Sequence, residues 1–217
     1  MTFYTDAQRK IQTRHQSSRM AVALEQAIIA QILNDDQAAF IQSRDFFFLS
    51  TVTASGEPTV SYKGGDIGVV TVLDESTLAF PAYDGNGMFL SLGNIADTAK
   101  IGLLFIDFET PNRLRVQATA QLLVEDELLE RYPGAIGVVR ARIDHVFPNC
   151  ARYIHKHVRG SSSAHVPDAA GEQPVATWKR IDDFQDYLST QDRSQVAEAG
   201  GTISAAEYGE ALMRGES

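Results

Sequence analysis

The sequence predicts a β-barrel with flanking helices, an α+β fold built on an antiparallel sheet. Between about Phe46 and Val124, short segments rich in aromatic and β-branched residues alternate with tight turns. Only one short helix, predicted from Met88 to Ile95, interrupts these segments. Parallel strands need a long crossover after every strand, so this spacing favours antiparallel pairing.

The residues before the sheet predict a polar arm followed by helices. The first 19 residues carry four basic side chains against Asp6 and are expected to form the arm. From Met20 onward, apolar residues up to Leu33 recur at three- and four-residue spacings, which is typical of one helix face. Asn34 is expected to end this helix and to cap a second, short one through Ile41.

Seven segments have the composition of strands. They are Phe46–Thr53, Thr59–Lys63, Val69–Leu73, Thr77–Phe80, Ile101–Phe108, Leu114–Val124 and Ala135–Phe147. Turn residues separate most of them, such as the run from Ser55 to Pro58 between the first two. The pattern therefore indicates a meandering sheet with tight connections.

The C-terminal residues predict an acidic tail. From Ile181 to Ser217 there are eight acidic and two basic side chains. Ser204, with Glu207 three residues later, predicts a capped helix that continues to Met213. We divide the chain into an N-terminal arm with helices (1–45), a barrel domain (46–180) and the acidic tail with its short helix (181–217).

Composition excludes several classes of protein. The chain has 217 residues and a net charge of −9, which disfavours wrapping of nucleic acid. Cys150 is the only cysteine, so an internal disulfide is excluded and a reducing compartment is expected. No apolar run is long enough to span a membrane, and the first residues are polar. We expect a cytoplasmic protein without a nucleic-acid or membrane partner.

Two segments carry side chains that suit an anionic ligand. Ser61 and Lys63 would project from the same side of a strand, where a hydroxyl and an ammonium can hold a phosphate. The loop Tyr83–Gly87 contains two glycines and would open a helix, whose first N–H groups attract anions. Each pattern also fits a plain structural interpretation, as a solvent-facing strand edge and as an ordinary Asn-Gly turn.

Two further segments carry basic or metal-binding side chains. Arg113 and Arg115 share one side of a strand and could pair with a phosphate, or simply be solvated. Cys150 is followed by His155 and His157, but a second ligand cluster with zinc-like spacing is missing, so we predict no metal site. A thiol nucleophile beside a histidine is one alternative for Cys150. The default expectation is a buried, inert cysteine.

Taken in order, these motifs resemble the FMN-binding split-barrel proteins related to pyridoxamine 5′-phosphate oxidase. The segments that carry the resemblance are Phe46–Thr51 with Gly56–Pro58, Ser61–Gly64, Gly68–Asp74, Leu78–Pro81, Gly85–Asn86, Ser91–Ile95, Gly102–Ile106, Leu114–Val116, Pro148–Ile154 and Trp178. Each motif is short, and their order over some eighty residues is what makes the resemblance specific.

The resemblance implies a six-stranded antiparallel split barrel that forms a homodimer, with FMN in a groove between the subunits. It places residues of the second strand near the flavin or its phosphate, and the loop before the short helix at the phosphate. Lys63 is also the candidate for a positive charge that favours the reduced, anionic flavin. The cofactor-binding set that it implies is Ser61, Tyr62, Lys63, Ala82, Tyr83, Asn86, Gly87, Arg113, Arg115 and Trp178, with Arg180 beside Trp178.

The chain departs from the family pattern at three points, one of which is Tyr62 in place of the proline in the family's Ser-Pro-Lys-Gly segment. Gly87-Met88 stands where oxidase-like members often have an Arg-Lys pair, so Lys63, Arg113 or Arg115 would have to balance the phosphate charge. The arginine and histidine set with which the true oxidase binds its substrate is missing from the C-terminal part, so pyridoxamine phosphate is not the expected substrate.

Three functional hypotheses follow. The first is an FMN-dependent oxidoreductase that acts on an unknown small molecule; the sequence identifies no catalytic residue for it. The second is a non-catalytic protein that binds or senses flavin, F420 or haem, with His145, His155 and His157 as candidate haem ligands. The third is an empty split barrel that meets partners through its acidic tail.

Overall fold

The computed structural model describes residues 3–215, and its elements confirm the expected antiparallel sheet with flanking helices. The chain divides into two compact units, one ending at Ser162 and the other beginning at Ser163. The whole sheet belongs to the first unit. Within residues 3–215, no helix combines the length and the apolar character needed to cross a membrane.

The N-terminal segment is helical, which corrects the expectation of a polar arm. Helix α1 spans Asp6–Arg14, and Thr5 caps it through reciprocal hydrogen bonds with Gln8. Helix α1 buries none of its own residues and has Ile11 as its only large apolar residue, whereas helix α2 (Ser18–Ile28) has several. The capping pair was therefore the only sequence signal for α1.

Helix α3 spans Asp35–Gln42 and begins at the expected cap. The Asn34 side chain accepts a hydrogen bond from the N–H of Gln37 at 2.8 Å, and the Gln37 side chain accepts one from the N–H of Asn34. The preceding helix, however, ends earlier than Asn34. The backbone of Ile29 is extended, and Ala30 forms a β-bridge with Val146.

Seven strands of the described chain form one sheet. They are β1 (Phe46–Val52), β2 (Pro58–Gly64), β3 (Thr71–Asp74), β4 (Thr77–Ala82), β5 (Lys100–Asp107), β6 (Asn112–Leu123) and β7 (Gly137–Pro148). Their order is β2-β1-β5-β6-β7-β4-β3, and every neighbouring pair is antiparallel. The resemblance implied six strands. The seventh is the short β3, which folds back on β4 through a turn that Asp74 stabilises by accepting a bond from the N–H of Ser76.

Alternation along β1 gives the sheet an inner and an outer face. Phe47 and Leu49 are buried on the side that we call the inner face, and Phe46 and Phe48 lie partly exposed on the outer face. The rings of Phe47 and of Phe80 on β4 lie 5.0 Å apart, although three strands separate β1 from β4 in the sheet. The sheet therefore curls around its core, as a barrel does.

Helix α4 (Leu90–Thr98) follows β4 and packs on β1. Its buried Asn94 donates a hydrogen bond from Nδ2 to Oγ1 of Thr51 at 3.0 Å. One turn later, the Thr98 hydroxyl donates to the carbonyl of Val52 at 3.1 Å. These two bonds fix the helix against the end of β1.

A brace of residues 126–136 supports β4 from the side of β3 and β7. The buried Tyr132 hydroxyl bonds Oγ1 of Thr71 at 2.6 Å and donates to the carbonyl of Ala79 at 3.1 Å. At the start of the brace, the nearly fully buried Asp126 carboxylate accepts two bonds from the Arg140 guanidinium, at 2.6 and 3.0 Å.

The second unit contains helices α5 (Thr190–Glu198) and α6 (Ala205–Arg214), preceded by two short 3-10 turns. The expected cap of α6 is confirmed, because Ser204 and Glu207 exchange hydrogen bonds. The carbonyl of Gly201 accepts a bond from Nε of Arg180 at 2.8 Å, which ties the first 3-10 turn to the loop before α6.

We expect Asp126→Asn to lower the free energy of unfolding at pH 7 by about 1.5–3 kcal/mol, the range for a hydrogen bond to a charged group. The bond from Arg140 holds the pKa of Asp126 below its usual range. The stabilisation is therefore complete above the unfolded-state pKa, about 4, and is lost as the pH falls through the folded-state pKa.

Thermal unfolding between pH 7 and pH 2 measures this effect, and the deficit of the variant should shrink in acid. The matched control is Glu127→Gln, because that carboxylate contacts the same arginine but is 83% exposed. A deficit that stays constant with pH would contradict the assignment.

Candidate functional site

A pocket of about 480 Å³ lies on the inner face, between β1, β2, the end of β4 and the loop that leads into α4. Its apolar wall includes Phe47, Leu49, Val69 and Phe80. Its polar groups come from β2 and from residues 83–91. The pocket thus joins an aromatic and aliphatic wall to a small set of polar side chains, the usual construction of a ligand site.

Strand β2 brings Ser61 and Lys63 into the pocket together, as their spacing predicts. In the register of β1 and β2, Ser61 lies opposite Leu49 and Lys63 opposite Phe47, so both face inward. Burial lowers the pKa of the Lys63 ammonium. No carboxylate or hydrogen-bond acceptor within residues 3–215 pairs with this ammonium, which leaves a half-buried cation in the pocket wall.

Ser91 is a pocket residue that the sequence did not single out. It is the second residue of α4, it is buried, and its hydroxyl lies 3.2 Å from that of Ser61. The residue before the helix, Phe89, is in the N-cap position, has a left-handed backbone (φ 48°) and makes no side-chain capping bond. The first N–H groups of α4 therefore lack a side-chain acceptor at the helix start. In the sequence, Ser91 is part of a segment that resembles the family, Ser91–Ile95, but it was not predicted to bind the cofactor.

The loop before α4 lines the rim of the pocket. Asn86 and Gly87 are exposed there, and Gly87 has a φ of +73°. The side-chain oxygen of Asn86 accepts a bond from the N–H of Met88 at 3.1 Å, so it holds the loop in shape. Helix α4 starts at Leu90, two residues later than expected.

Ala82 is the last residue of β4, Tyr83 follows it, and both continue the pocket wall. The carbonyl of Ala82 accepts a bond from the N–H of Ile136 at 2.9 Å, so it is engaged by the brace. Burial, with smaller contributions from Tyr132 and Asp66, raises the pKa of Tyr83 and keeps its hydroxyl protonated at neutral pH.

Tyr62 lines the pocket rim, but its ring lies on the outer face. It pairs with Phe48 in the β1–β2 register and stacks on Phe46 at 5.3 Å. A Cβ atom at Gly64 would come within 2.8 Å of the Tyr62 ring, so the glycine makes room for it. Of the three neighbouring residues predicted to bind the cofactor, Ser61 and Lys63 therefore face inward and Tyr62 faces outward.

The arginines of β6 lie outside the pocket of their own chain. Arg113 and Arg115 alternate with buried Leu114 and Val116, so they project from the outer face. Nε of Arg113 is buried and unpaired among the described residues, and so is Oδ1 of Asn149 beside it. The structure therefore separates the predicted set into an inward group and an outward group.

Trp178 and Arg180 belong to the unit that begins at Ser163. There the Trp178 ring packs against Phe184, with 6.4 Å between the ring centroids. Lys179 lies over the Trp178 ring at 5.8 Å.

The cysteine and histidine residues do not form a cluster in the described part of the chain. Cys150 is exposed rather than buried, because it follows the end of β7, and hydrogen bonds from Arg152 lower the pKa of its thiol. His157 packs against Phe108, and His145 against Phe3. No group of three or more potential metal ligands occurs within residues 3–215.

Parts of the chain are similar to known proteins. A family model described as pyridoxamine 5′-phosphate oxidase matches residues 33–149, just over half of the chain. No curated protein matches the chain.

Three solved structures are similar over part of this chain. They are a putative pyridoxamine 5′-phosphate oxidase of Lactobacillus delbrueckii (28% identity, 54% of this chain, 95% of that chain, TM-score 0.44), an FMN-binding protein of Syntrophomonas wolfei (12%, 64%, 97%, 0.42) and the haem storage protein HutZ of Vibrio cholerae (20%, 54%, 94%, 0.39).

Proposed function

Because the chain belongs to the pyridoxamine 5′-phosphate oxidase family, we propose that it is an FMN-dependent oxidoreductase that acts on a small molecule. The observation that carries the proposal is the inner-face pocket, where an unpaired Lys63 and the Ser61–Ser91 hydroxyl pair lie beside the start of α4. When bound, FMN supplies the transfer of electrons or hydride.

The polar end of the pocket fits the phosphate of FMN. Lys63 contributes a positive charge, and Ser61 and Ser91 contribute hydroxyl donors on the same side. The first N–H groups of α4 add the positive end of a helix dipole. These groups bind and orient the phosphate.

The apolar wall fits a planar ring system. Phe47, Leu49 and Phe80 present aromatic and aliphatic surface, and the end of β4 is held in place by the brace. These side chains exclude water from a bound ring and fix its orientation. The described lining residues include no histidine, which favours a flavin over a histidine-ligated haem in this pocket.

The charge balance supports a homodimer with a shared site. The pocket lining contains one lysine and one carboxylate, Asp84, and a bound phosphate would add close to two negative charges. Arg113 and Arg115 project from the outer face of the same chain. Exposed apolar side chains accompany them on that face, with Val60 65% and Tyr62 61% exposed. Val60 and Tyr62 also line the pocket rim, so a second copy packed on this face would cover the apolar surface and bring its arginines to that rim.

An absorption spectrum of the freshly purified protein tests the cofactor assignment. We expect two flavin bands, near roughly 375 and 450 nm, and release of FMN on heating. A single band near roughly 400 nm would indicate haem instead. A colourless protein that takes up no added FMN would contradict the proposal.

Substitutions in the pocket should weaken FMN binding. We expect Lys63→Ala and Asn86→Ala each to cost about 1–3 kcal/mol of binding free energy, the range for losing a hydrogen bond to a charged group or leaving its partner unpaired. Lys63→Ala removes the cation, and Asn86→Ala removes the side chain that shapes the loop. FMN titration by fluorescence measures both. Lys10→Ala is the matched control, because Lys10 lies exposed on α1.

A mixture of two defective variants tests the shared site. If the site of one subunit uses its own Lys63 and the arginine of its partner, mixing Lys63→Ala with Arg113→Ala creates one intact site per mixed dimer. With random exchange, about a quarter of all sites should then regain tight FMN binding. Binding that stays at the level of the separate variants, with exchange shown by mass spectrometry, would place Arg113 outside the site.

A further inference from the structure

The environment of Lys63 differs from that of every other lysine in the chain. The five lysines are Lys10, Lys63, Lys100, Lys156 and Lys179. Lys100 contacts Asp144 at 3.3 Å, and Lys179 contacts Asp192 at 2.8 Å. Lys10 and Lys156 are exposed. Among the residues that line the inner-face pocket, Lys63 is the only one with an amine.

A half-buried lysine without a counter-ion is chemically distinct from a surface lysine. Withdrawal from water disfavours the ammonium form, and burial is the cause that lowers the pKa of Lys63. The neutral amine is the form that attacks a carbonyl carbon, and desolvated lysines in pockets serve as imine-forming groups for this reason.

The same pocket contains groups that recognise an anion. Ser61 lies two residues before Lys63 on the same face of β2, and its hydroxyl lies 3.2 Å from that of Ser91. Ser91 is in the first turn of α4, where the helix has no side-chain cap. A ligand with a phosphate at this end would present the rest of its length to the pocket that Lys63 lines.

We propose that the inner-face pocket binds phosphorylated aldehydes covalently and reversibly, through an imine with Nζ of Lys63. The nitrogen lone pair of the amine attacks the aldehyde carbon and gives a carbinolamine. Loss of water then forms the C=N bond, and the two amine hydrogens leave with the aldehyde oxygen. No electrons are gained or lost, so the step needs no oxidant or reductant. This activity goes beyond the proposed redox function and does not require FMN, with which the aldehyde competes for the pocket.

The groups that bind the phosphate and the Lys63 amine have separate roles, so the pocket selects aldehydes that also carry a phosphate. The hydroxyl pair and the helix start hold the phosphate, and Lys63 captures the carbonyl group. An aldehyde without a phosphate meets the same amine without being held beside it. The loss of proximity lowers the rate and extent of imine formation.

Reductive labelling of the full-length protein tests the proposal. The protein is incubated with glyceraldehyde 3-phosphate or with glyceraldehyde, any imine is reduced with cyanoborohydride, and peptide mapping locates the label. With the phosphorylated aldehyde we expect Lys63 to carry at least about fivefold more label than each of the other four lysines. Glyceraldehyde should label Lys63 several-fold less, and its labelling of Lys10 should match that of the phosphorylated aldehyde.

Two controls separate a covalent site from an electrostatic one. Inorganic phosphate should protect Lys63 from label and leave Lys10 unchanged. Lys63→Arg keeps the positive charge but cannot form an imine, so it should lose the pocket label while Lys10→Arg retains it. Peptide mapping of the labelled protein without substitutions tests the proposal even if Lys63→Arg does not fold.

Label spread evenly over the five lysines would overturn the proposal. Equal labelling of Lys63 by both aldehydes would overturn it as well. FMN titration of the same preparation keeps the two functions apart. A protein that binds FMN but shows no preference for Lys63 retains the redox proposal and loses this one, and selective labelling without FMN binding gives the opposite result.

Discussion

The pairing of β1 with β2 is the constraint on which the pocket depends. Burial of Phe47 and Leu49 fixes which side of β1 faces the core, and the register then fixes the direction of every side chain on β2. A slip of one residue would turn Ser61 and Lys63 outward and bring Tyr62 into the core. The Tyr62 ring, stacked on Phe46 above Gly64, stabilises the correct register from the outer face.

A second constraint places the start of α4 next to that strand. Asn94 and Thr98 anchor the helix to the end of β1, and Ile95 packs into the core. With the later turns held, the first turn has little freedom, and Ser91 comes to lie against Ser61. This placement includes a left-handed backbone at Phe89, a conformation in which a residue with a side chain is strained.

The sequence predicted the sheet more fully than the helices and the site. All seven strand segments were detected, because alternating aromatic and β-branched residues leave a period that can be read without tertiary information. Helix α1 was missed because it has no buried face. Ser61 and Lys63 were correctly placed together by strand alternation, which is a local rule.

Contacts between residues that are far apart in the sequence could not be predicted from local patterns. The contact between Ser61 and Ser91 joins residues thirty positions apart, and nothing local specifies it. Arg113 projects from the outer face because it alternates with the buried Leu114 and Val116, but no local pattern specifies what that face contacts. The resemblance supplied both arginines as cofactor ligands but not the face from which they project.

Lys63 is a partly buried charge that has no counter-ion within the described chain. Partial removal of an ammonium from water is unfavourable unless an anion or an acceptor compensates for it. At two other partly buried cations a carboxylate of the same chain compensates the charge: Asp126 pairs with Arg140, and Asp192 pairs with Lys179. At Lys63 the compensating group must come from outside the chain, and a phosphate satisfies this need as a counter-ion. An aldehyde satisfies it differently, because imine formation consumes the neutral amine that burial favours. The unpaired Lys63, together with the hydroxyl pair and the helix start beside it, thus accounts for both the anion preference and the covalent reactivity proposed for this pocket.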